Sequence, residues 1–425
     1  MPALLSINNY HYRRGGSDVV YLEHAALMEE LGWENAFFSM HYPKNLDSPW
    51  SKYFVNEIAV SHASSLASKI SMATKVVYSY EAQRKLQRLL EDFPADVAHL
   101  HCIYHLLSPS ILSTLNKADI PVVMTAHDLK LACPAYKMLT HDGICERCKD
   151  GSLLNVIKHR CIHDSLGSST IVSIESLLHH QLNTYKRYLN KVVAPSRFYI
   201  EKFVEWGWPR EKFVHIPNYV DASRFIPSFD PGDYFLFFGR LAPEKGVATL
   251  LRAARKADVK LKIAGTGPEE VALHALHAEL QGDVEFLGYR SGESLHSLIC
   301  GARAVVLPSE WYENAPMSVL EAFASGKPVI GARIGGIPEM VHPDKTGALF
   351  ESGNTEELAD LLRGYADMPD DEISRMGEAA RRYVVETFSA ERYLRDTLAL
   401  YADLGVRVGN NASVASQVSG GADQA

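Results

Sequence analysis

Residues 308–339 read PSEWYENAPMSVLEAFASGKPVIGARIGGIPE, with the run AVVLP entering at 304–308 and PVIG lying inside at 328–331. Both runs are apolar without period-two alternation, the pattern of strands buried on both faces of a parallel sheet. Between them a helix starts at Pro316 or Met317, because proline has no amide hydrogen to leave unpaired and suits the first helical turn. Glu313 then lies on the loop entering that helix. Glu321, separated from it by seven residues, falls little more than a turn inside. Both carboxylates can face the helix N-terminus, where the free amides of Met317 and Ser318 favour an anion. A polyhydroxylated, phosphorylated ligand suits that arrangement.

The same alternation extends in both directions. ALLSIN, DVAHLH, VVMTAH and KVVAPS read as strands in the first half, and YFLFFG, KLKIAG, VEFLG, AVVLP and PVIG in the second, with helical segments such as DVVYLEHAALMEELG and VATLLRAARKA between them. Strand and helix alternating in two successive blocks predict an α/β protein of two doubly wound, Rossmann-like domains. The join falls in IPNYVDASRFIPSFDPGD, residues 216–233, rich in Pro, Asp and Ser. The expected organisation is an N-terminal domain over 1–218, with a Cys-rich insertion at about 131–165, and a C-terminal domain over 219–388. A helix over 389–407 is expected to pack back on the first domain, followed by a tail from 408 to 425 with almost no large apolar side chain, predicted to be disordered.

A chain of 425 residues, 47% hydrophobic, has material for two cores. No run approaches the roughly 18 to 20 apolar residues of a membrane span, and the N-terminal MPALLSINNYHYRR lacks the order of a secretory signal, so a cytoplasmic protein is expected. A formal charge of −8 argues against a nucleic-acid partner, which would call for Lys and Arg to neutralise phosphates. The charge is uneven: residues 1–220 carry 23 Lys plus Arg against 21 Asp plus Glu, and the remainder 20 against 30. The halves are expected to meet different partners.

In doubly wound sheets ligands bind beyond the carboxyl ends of the strands. Four loops at such ends carry unusual chemistry. After ALLSIN come Arg13, Arg14, Gly15 and Gly16, where paired glycines let backbone approach a ligand and a following helix N-terminus attracts an anion. After YFLFFG comes GRLAPEKG, whose Arg240 and Lys245 can clamp a diphosphate from two sides, one as a fork and the other as a point charge. The third is AGTGPEE with Gly265 and Gly267, a pair that by itself reads as structural. The fourth is the Glu313–Glu321 segment.

Taken together, GG near the N-terminus, GRLAPEKG, AGTGPEE, and the two glutamates followed by AFASGKPVI and GGIPE resemble the nucleotide-sugar-dependent retaining glycosyltransferases of glycosyltransferase family four, the group 1 glycosyltransferases, over roughly residues 3–400. The resemblance implies the GT-B fold, two Rossmann-like domains facing across a cleft. It implies that Arg240 and Lys245 neutralise the leaving diphosphate, that Glu321 holds the ribose hydroxyls, and that Glu313 holds hydroxyls of the transferred sugar. Gly15 and Gly16 would approach the diphosphate through backbone, and His127 would contact the donor sugar near the acceptor. The implied catalytic set is therefore His127, Glu313, Arg240 and Lys245, with Gly265, Gly267, Tyr289, Asn314, Met317 and Ser318 completing the donor site. Tyr289, in FLGYR, lies where the base would be selected. Many relatives have glycine where this chain has Pro316, which removes an amide and leaves Met317 and Ser318 to make those contacts. For His127 alone the competing reading is a satisfied histidine on a loop, and for Glu321 alone a solvated helix face.

No D-x-D occurs in the chain, so no obvious carboxylate pair is at hand for a diphosphate-bound divalent metal, and the Arg and Lys would supply the leaving-group stabilisation. Metal-independent catalysis with no cofactor is expected. The donor would be a nucleotide-diphosphate sugar and the acceptor a glycan or lipid-linked glycan of cell-surface polysaccharide or glycolipid synthesis. Two other readings share the architecture: a non-hydrolysing nucleotide-sugar epimerase, for which no acid/base set can be assigned, and a non-catalytic sugar-nucleotide-binding partner.

Four of the six cysteines fall in one segment, Cys133, Cys145, Cys148 and Cys161, with the middle pair spaced C-x2-C. A structural zinc with four thiolates fits the spacing, with His141, His159 and His163 as substitutes, and free thiols are the alternative in a reducing compartment. Between residues 61 and 90 five basic residues accompany one acid, and Leu66, Ile70, Ala73, Val77 and Tyr80 recur at helical spacing. Such an amphipathic basic helix either packs on its own domain or lies peripherally on the anionic inner membrane face.

Overall fold

The computed structural model describes residues 1–57 and 73–408. Two six-stranded parallel sheets dominate it. The first comprises β1 (Ala3–Ile7), β2 (Glu34–Phe38), β3 (Val97–Leu100), β4 (Val122–Thr125), β7 (Lys191–Ala194) and β8 (Phe213–His215), ordered β2-β1-β3-β4-β7-β8. The second comprises β9 (Phe235–Phe238), β10 (Leu261–Ala264), β11 (Val284–Gly288), β12 (Ala304–Leu307), β13 (Val329–Ala332) and β14 (Gly347–Phe350), ordered β11-β10-β9-β12-β13-β14. Between the sheets in sequence, β5 (Leu139–Thr140) and β6 (Gly143–Ile144) form an antiparallel hairpin inside the cysteine-rich segment.

The central strands β1, β3, β4, β9, β12 and β13 are buried along their length, which explains their unbroken apolar sequence. In the second sheet the chain reverses direction of growth between β9 and β12, which pair Ala304 with Phe235 and Val305 with Leu236. In the first sheet the corresponding point lies between β1 and β3, with Leu100 of β3 in turn opposite Met124 of β4. Loops leaving the carboxyl ends at these two points form the walls of the cleft between the domains.

The Ala390–Asp403 helix packs its Tyr393, Leu394, Leu398 and Tyr401 into one cluster with Leu4, Val97, Val123 and Val193 of the first sheet. The continuous helix anticipated from residue 61 onward is interrupted: residues 73–77 are helical, but Ser79 caps a new helix at Tyr80–Asp92, its hydroxyl accepting from the amide of Ala82. Leu66 and Ile70 of that pattern, and the tail from 409, lie outside the described residues. No described helix is long and apolar enough to cross a membrane.

Candidate functional site

The Met317–Ala324 helix begins where its sequence predicts, with Pro316 as extended N-cap. Val319, Leu320, Ala322, Phe323 and Ala324 are buried. Helical spacing therefore leaves Met317, Ser318 and Glu321 on the face turned to the cleft. Gly335 and Gly336 let the following turn lie directly on the entering loop: a Cβ at Gly335, whose φ is +60°, would stand 2.2 Å from the carbonyl oxygen of Glu313, and the amide of Gly336 donates to that same oxygen at 2.8 Å.

Glu313 is buried, and its Oε1 accepts from Lys245 Nζ at 2.6 Å and from Ser309 Oγ at 2.7 Å. Lys245 reaches it from the turn Pro243–Lys245, closed by Gly246 at φ +65°. A Cβ at Gly246 would sit 1.9 Å from the carbonyl oxygen of Pro308, so the two loops are in backbone contact. Arg240 is exposed on the same loop and forms no ion pair among the described residues. Gly265 and Gly267 press on that loop from the other side, where added Cβ atoms would lie 1.8 Å from Gly239 O and 2.1 Å from Leu241 O. What is visible of these two glycines is a packing role. Tyr289 is 72% exposed beyond β11.

Glu321 makes no side-chain hydrogen bond among the described residues. Burial, with a further contribution from Glu23 of the facing domain, raises its pKa to about 7. From the first domain, Gly15 caps the Gly16–Glu30 helix in an extended conformation, and a Cβ at Gly16 would come 3.8 Å from the Met317 side chain. The paired glycines thus meet the fourth loop across the cleft. His127 follows β4, and its Nε2 lies 2.7 Å from Nδ1 of His101, which follows β3. Burial lowers the His127 pKa to about 4, so the ring is neutral.

Asn314, expected among the donor ligands, turns both ends of its amide to the first domain: Nδ2 donates to Ala126 O at 2.8 Å and Oδ1 accepts from Ser196 Oγ at 2.8 Å. The structural zinc is not supported. Among the described residues no three His, Cys, Asp or Glu side chains converge as metal ligands, and Cys133, Cys145, Cys148 and Cys161 are free thiols. Burial pushes Cys133 up to about 11, and burial together with the neighbouring thiols of Cys133, Cys161 and Cys145 pushes Cys148 up to about 12. The segment is instead tied by polar contacts, Arg147 to Asp142 at 3.2 Å and Asn155 Nδ2 to Arg147 O at 3.0 Å.

Several site neighbours carry no sequence signal. Lys137 of the cysteine-rich segment pairs with Glu244 at 2.9 Å, and Tyr312 donates to Glu146 at 3.0 Å, so the insertion grips both loops that present Lys245 and Glu313. Asp128, next to His127, accepts from Tyr104, and burial lifts its pKa to about 6.

Two sequence profiles match the chain, "Glycosyl transferases group 1" over residues 221–383 and "Glycosyltransferase Family 4" over residues 14–224. The chain is similar to N-acetyl-alpha-D-glucosaminyl L-malate synthase of Bacillus anthracis, at 24% identity over 92% of this chain and 94% of that protein. Other curated relatives reach higher identity over less than two thirds of their own length. Among solved structures it is similar to sucrose-phosphate synthase from Thermosynechococcus elongatus, with a TM-score of 0.69 and 18% identity over 95% of this chain and 99% of that one. It is also similar to Anabaena HepE in complex with UDP and glucose, with a TM-score of 0.66 and 16% identity over 95% of this chain and 100% of that one.

Proposed function

The chain belongs to the group 1 glycosyl transferases of glycosyltransferase family four, with the GT-B fold, and from that membership we propose that it moves a sugar, with retained configuration and without a metal, from a nucleotide-diphosphate sugar to a glycan or lipid-linked acceptor. The observation that supports this reading is the Lys245–Glu313 contact, which joins the loop carrying Arg240 to the loop entering the Met317–Ala324 helix, on which Glu321 stands unpaired among the described residues, at the reversal point of the second sheet. Two cations serve the diphosphate, and two carboxylates serve hydroxyl groups. Developing charge on the leaving diphosphate would be met by fixed cations in a sheltered cleft, the largest single source of rate enhancement in many enzymes. Glu313, already accepting from Lys245 and Ser309, suits holding sugar hydroxyls better than acting as a nucleophile. Retention would then follow from reaction on one face of the sugar, with the departing phosphate taking the acceptor proton. HepE, a structural relative seen with UDP and glucose, is consistent with a nucleotide-sugar donor.

The test is donor turnover by the purified protein. Thermal shifts against UDP-, GDP-, ADP- and dTDP-sugars identify the donor, because a ligand of the native state alone raises its stability. Transfer to acceptor extracts then reports the reaction, its product anomer tests retention, and chelator tests metal independence. Lys245→Ala and Glu321→Ala are each expected to lower transfer by about 10²-fold or more with the fold intact. Wild-type turnover in either variant would overturn the site.

A further inference from the structure

His101 and His127 leave adjacent parallel strands at the same end, one residue beyond Leu100 and three beyond Met124, which are register partners, and their ring planes differ by 17° with centroids 5.0 Å apart. We propose that His101 is a positioning residue that decides which nitrogen of His127 carries the proton, so that His127 offers an Nδ1–H donor to a hydroxyl of the transferred sugar. This rests on the reading of His127 as a sugar contact.

Both rings are neutral, since burial holds His127 at about 4 and drives His101 well below the ordinary histidine value. Two neutral imidazoles 2.7 Å apart through Nδ1 of His101 and Nε2 of His127 share one proton between those atoms. Its owner follows from the far side of His101. Nε2 of His101 is buried with no hydrogen-bond partner among the described residues. Were the His101 proton there, a buried N–H would be left without an acceptor, and orphaned donors are rarer than orphaned acceptors. With the proton on Nδ1, His101 donates to His127 Nε2. The His127 proton then sits on Nδ1, which makes no hydrogen bond among the described residues and is the nitrogen left for a ligand.

The packing holds His101 in this role. Its ring lies 5.1 Å from that of His99 at 19°, and Tyr21 meets it edge-on at 5.4 Å. His99 is itself fixed at both nitrogens, by Tyr401 Oη at 2.6 Å and Thr125 Oγ1 at 2.7 Å. A ring flip of His101 would have to displace this column. A neutral Nδ1–H suits an uncharged hydroxyl oxygen, and the tautomer of a histidine is set by the bond its other nitrogen makes.

Long-range proton–nitrogen spectra of histidine-labelled protein at neutral pH test this, with His127→Ala assigning the signals. The wild type is expected to show His127 in the Nδ1–H form. His101→Phe is expected to lose that form and to lower kcat by about 10- to 100-fold, the size of effect known for removing the partner that orients a metal-ligating histidine. His101→Asn, whose amide can donate to Nε2, is expected to restore the Nδ1–H form and part of the rate. An Nε2–H form of His127 in the wild type overturns the inference, and this readout stands even where His101→Phe fails to fold. Full activity in His101→Phe beside an inactive His127→Ala overturns the inference alone. Full activity in His127→Ala overturns the underlying site reading instead.

Discussion

Glu321 and Glu313 sit on the same short segment, yet their surroundings differ. Glu313 is compensated by Lys245 and Ser309, whereas Glu321 has no ion-pair partner among the described residues, and burial first and Glu23 second raise its pKa to about 7. For a carboxyl raised above its unfolded value the ionised form costs stability, and that cost grows as pH rises from the unfolded pKa, about 4.3, through 7. The apo Glu321→Gln variant should therefore melt above the wild type at pH 8 and level with it near pH 5. The proposed ribose-holding role runs the other way, because accepting from two ribose hydroxyls would require the ionised form. Donor affinity should fall on acidification below pH 7, by up to about tenfold per unit. Calorimetric titration with the nucleotide from pH 6 to 8 measures it, and a flat profile would remove Glu321 from the ribose. These charges were legible in the sequence as candidates. The raised pKa of Glu321 was not, since it depends first on burial in the fold and then on Glu23, nearly three hundred positions away, coming to face it.

Central strands were legible because they are buried. Each strand read in advance is in place, including VEFLG at the edge of the second sheet, whereas in the two large sheets β2, β8 and β14, which were not read, all lie at edges, and the short β5–β6 hairpin was not read either. An edge strand pairs on one side only and needs no continuous apolar run: β2 is ENAFF with one end exposed, and β8 is three residues long. The cysteine spacing misled for a related reason. C-x2-C spacing records distance along the chain, and among the described residues no three metal-ligating side chains converge there, while polar contacts such as Arg147 to Asp142 hold the segment. Turn glycines carry information that spacing does not. At Gly335 a side chain would meet the backbone of Glu313 at 2.2 Å in a left-handed conformation that itself costs about 1–2 kcal/mol. Gly335→Ala should therefore displace Glu313 and lower transfer by tenfold or more, roughly the effect of an ångström-scale misplacement. Its melting temperature should drop by only a few degrees, since the β13 core lies beyond the turn. Unchanged kcat in this variant would show that Glu313 is not held by the turn.

At the scale of the molecule the two domains are joined by contacts that sequence cannot anticipate, because each partner is unremarkable alone. Glu339 accepts from the amides of Arg197 at 2.8 Å and Phe198 at 2.6 Å, capping the Arg197–Glu205 helix from the opposite domain. Glu339→Gln weakens a charged cap worth about 1 kcal/mol, and should appear as a several-fold higher donor KM with little change in melting temperature. A second joint runs through histidines. His24 bonds Tyr393 and Tyr401, both at 3.0 Å, and Tyr401 also meets His99, so the C-terminal helix is fastened to the first sheet through neutral imidazoles. Burial holds His24 at about 3 and His11 and His127 at about 4, and drives His99 and His101 well below the ordinary value. The unfolded chain binds protons at these positions near pH 6.5 and the folded one does not. Stability is therefore full above pH 6.5 and is lost as pH falls, at up to about 1.4 kcal/mol per pH unit for each histidine. Between pH 6 and 5 the column should make unfolding take up about three or more protons, read from the pH dependence of denaturant midpoints. His24→Gln should flatten that slope by about one proton even though it lowers stability at pH 8. A wild-type slope below one proton would mean that the column is charged or open to water, and that the joint between the C-terminal helix and the sheet is not the dry one seen here.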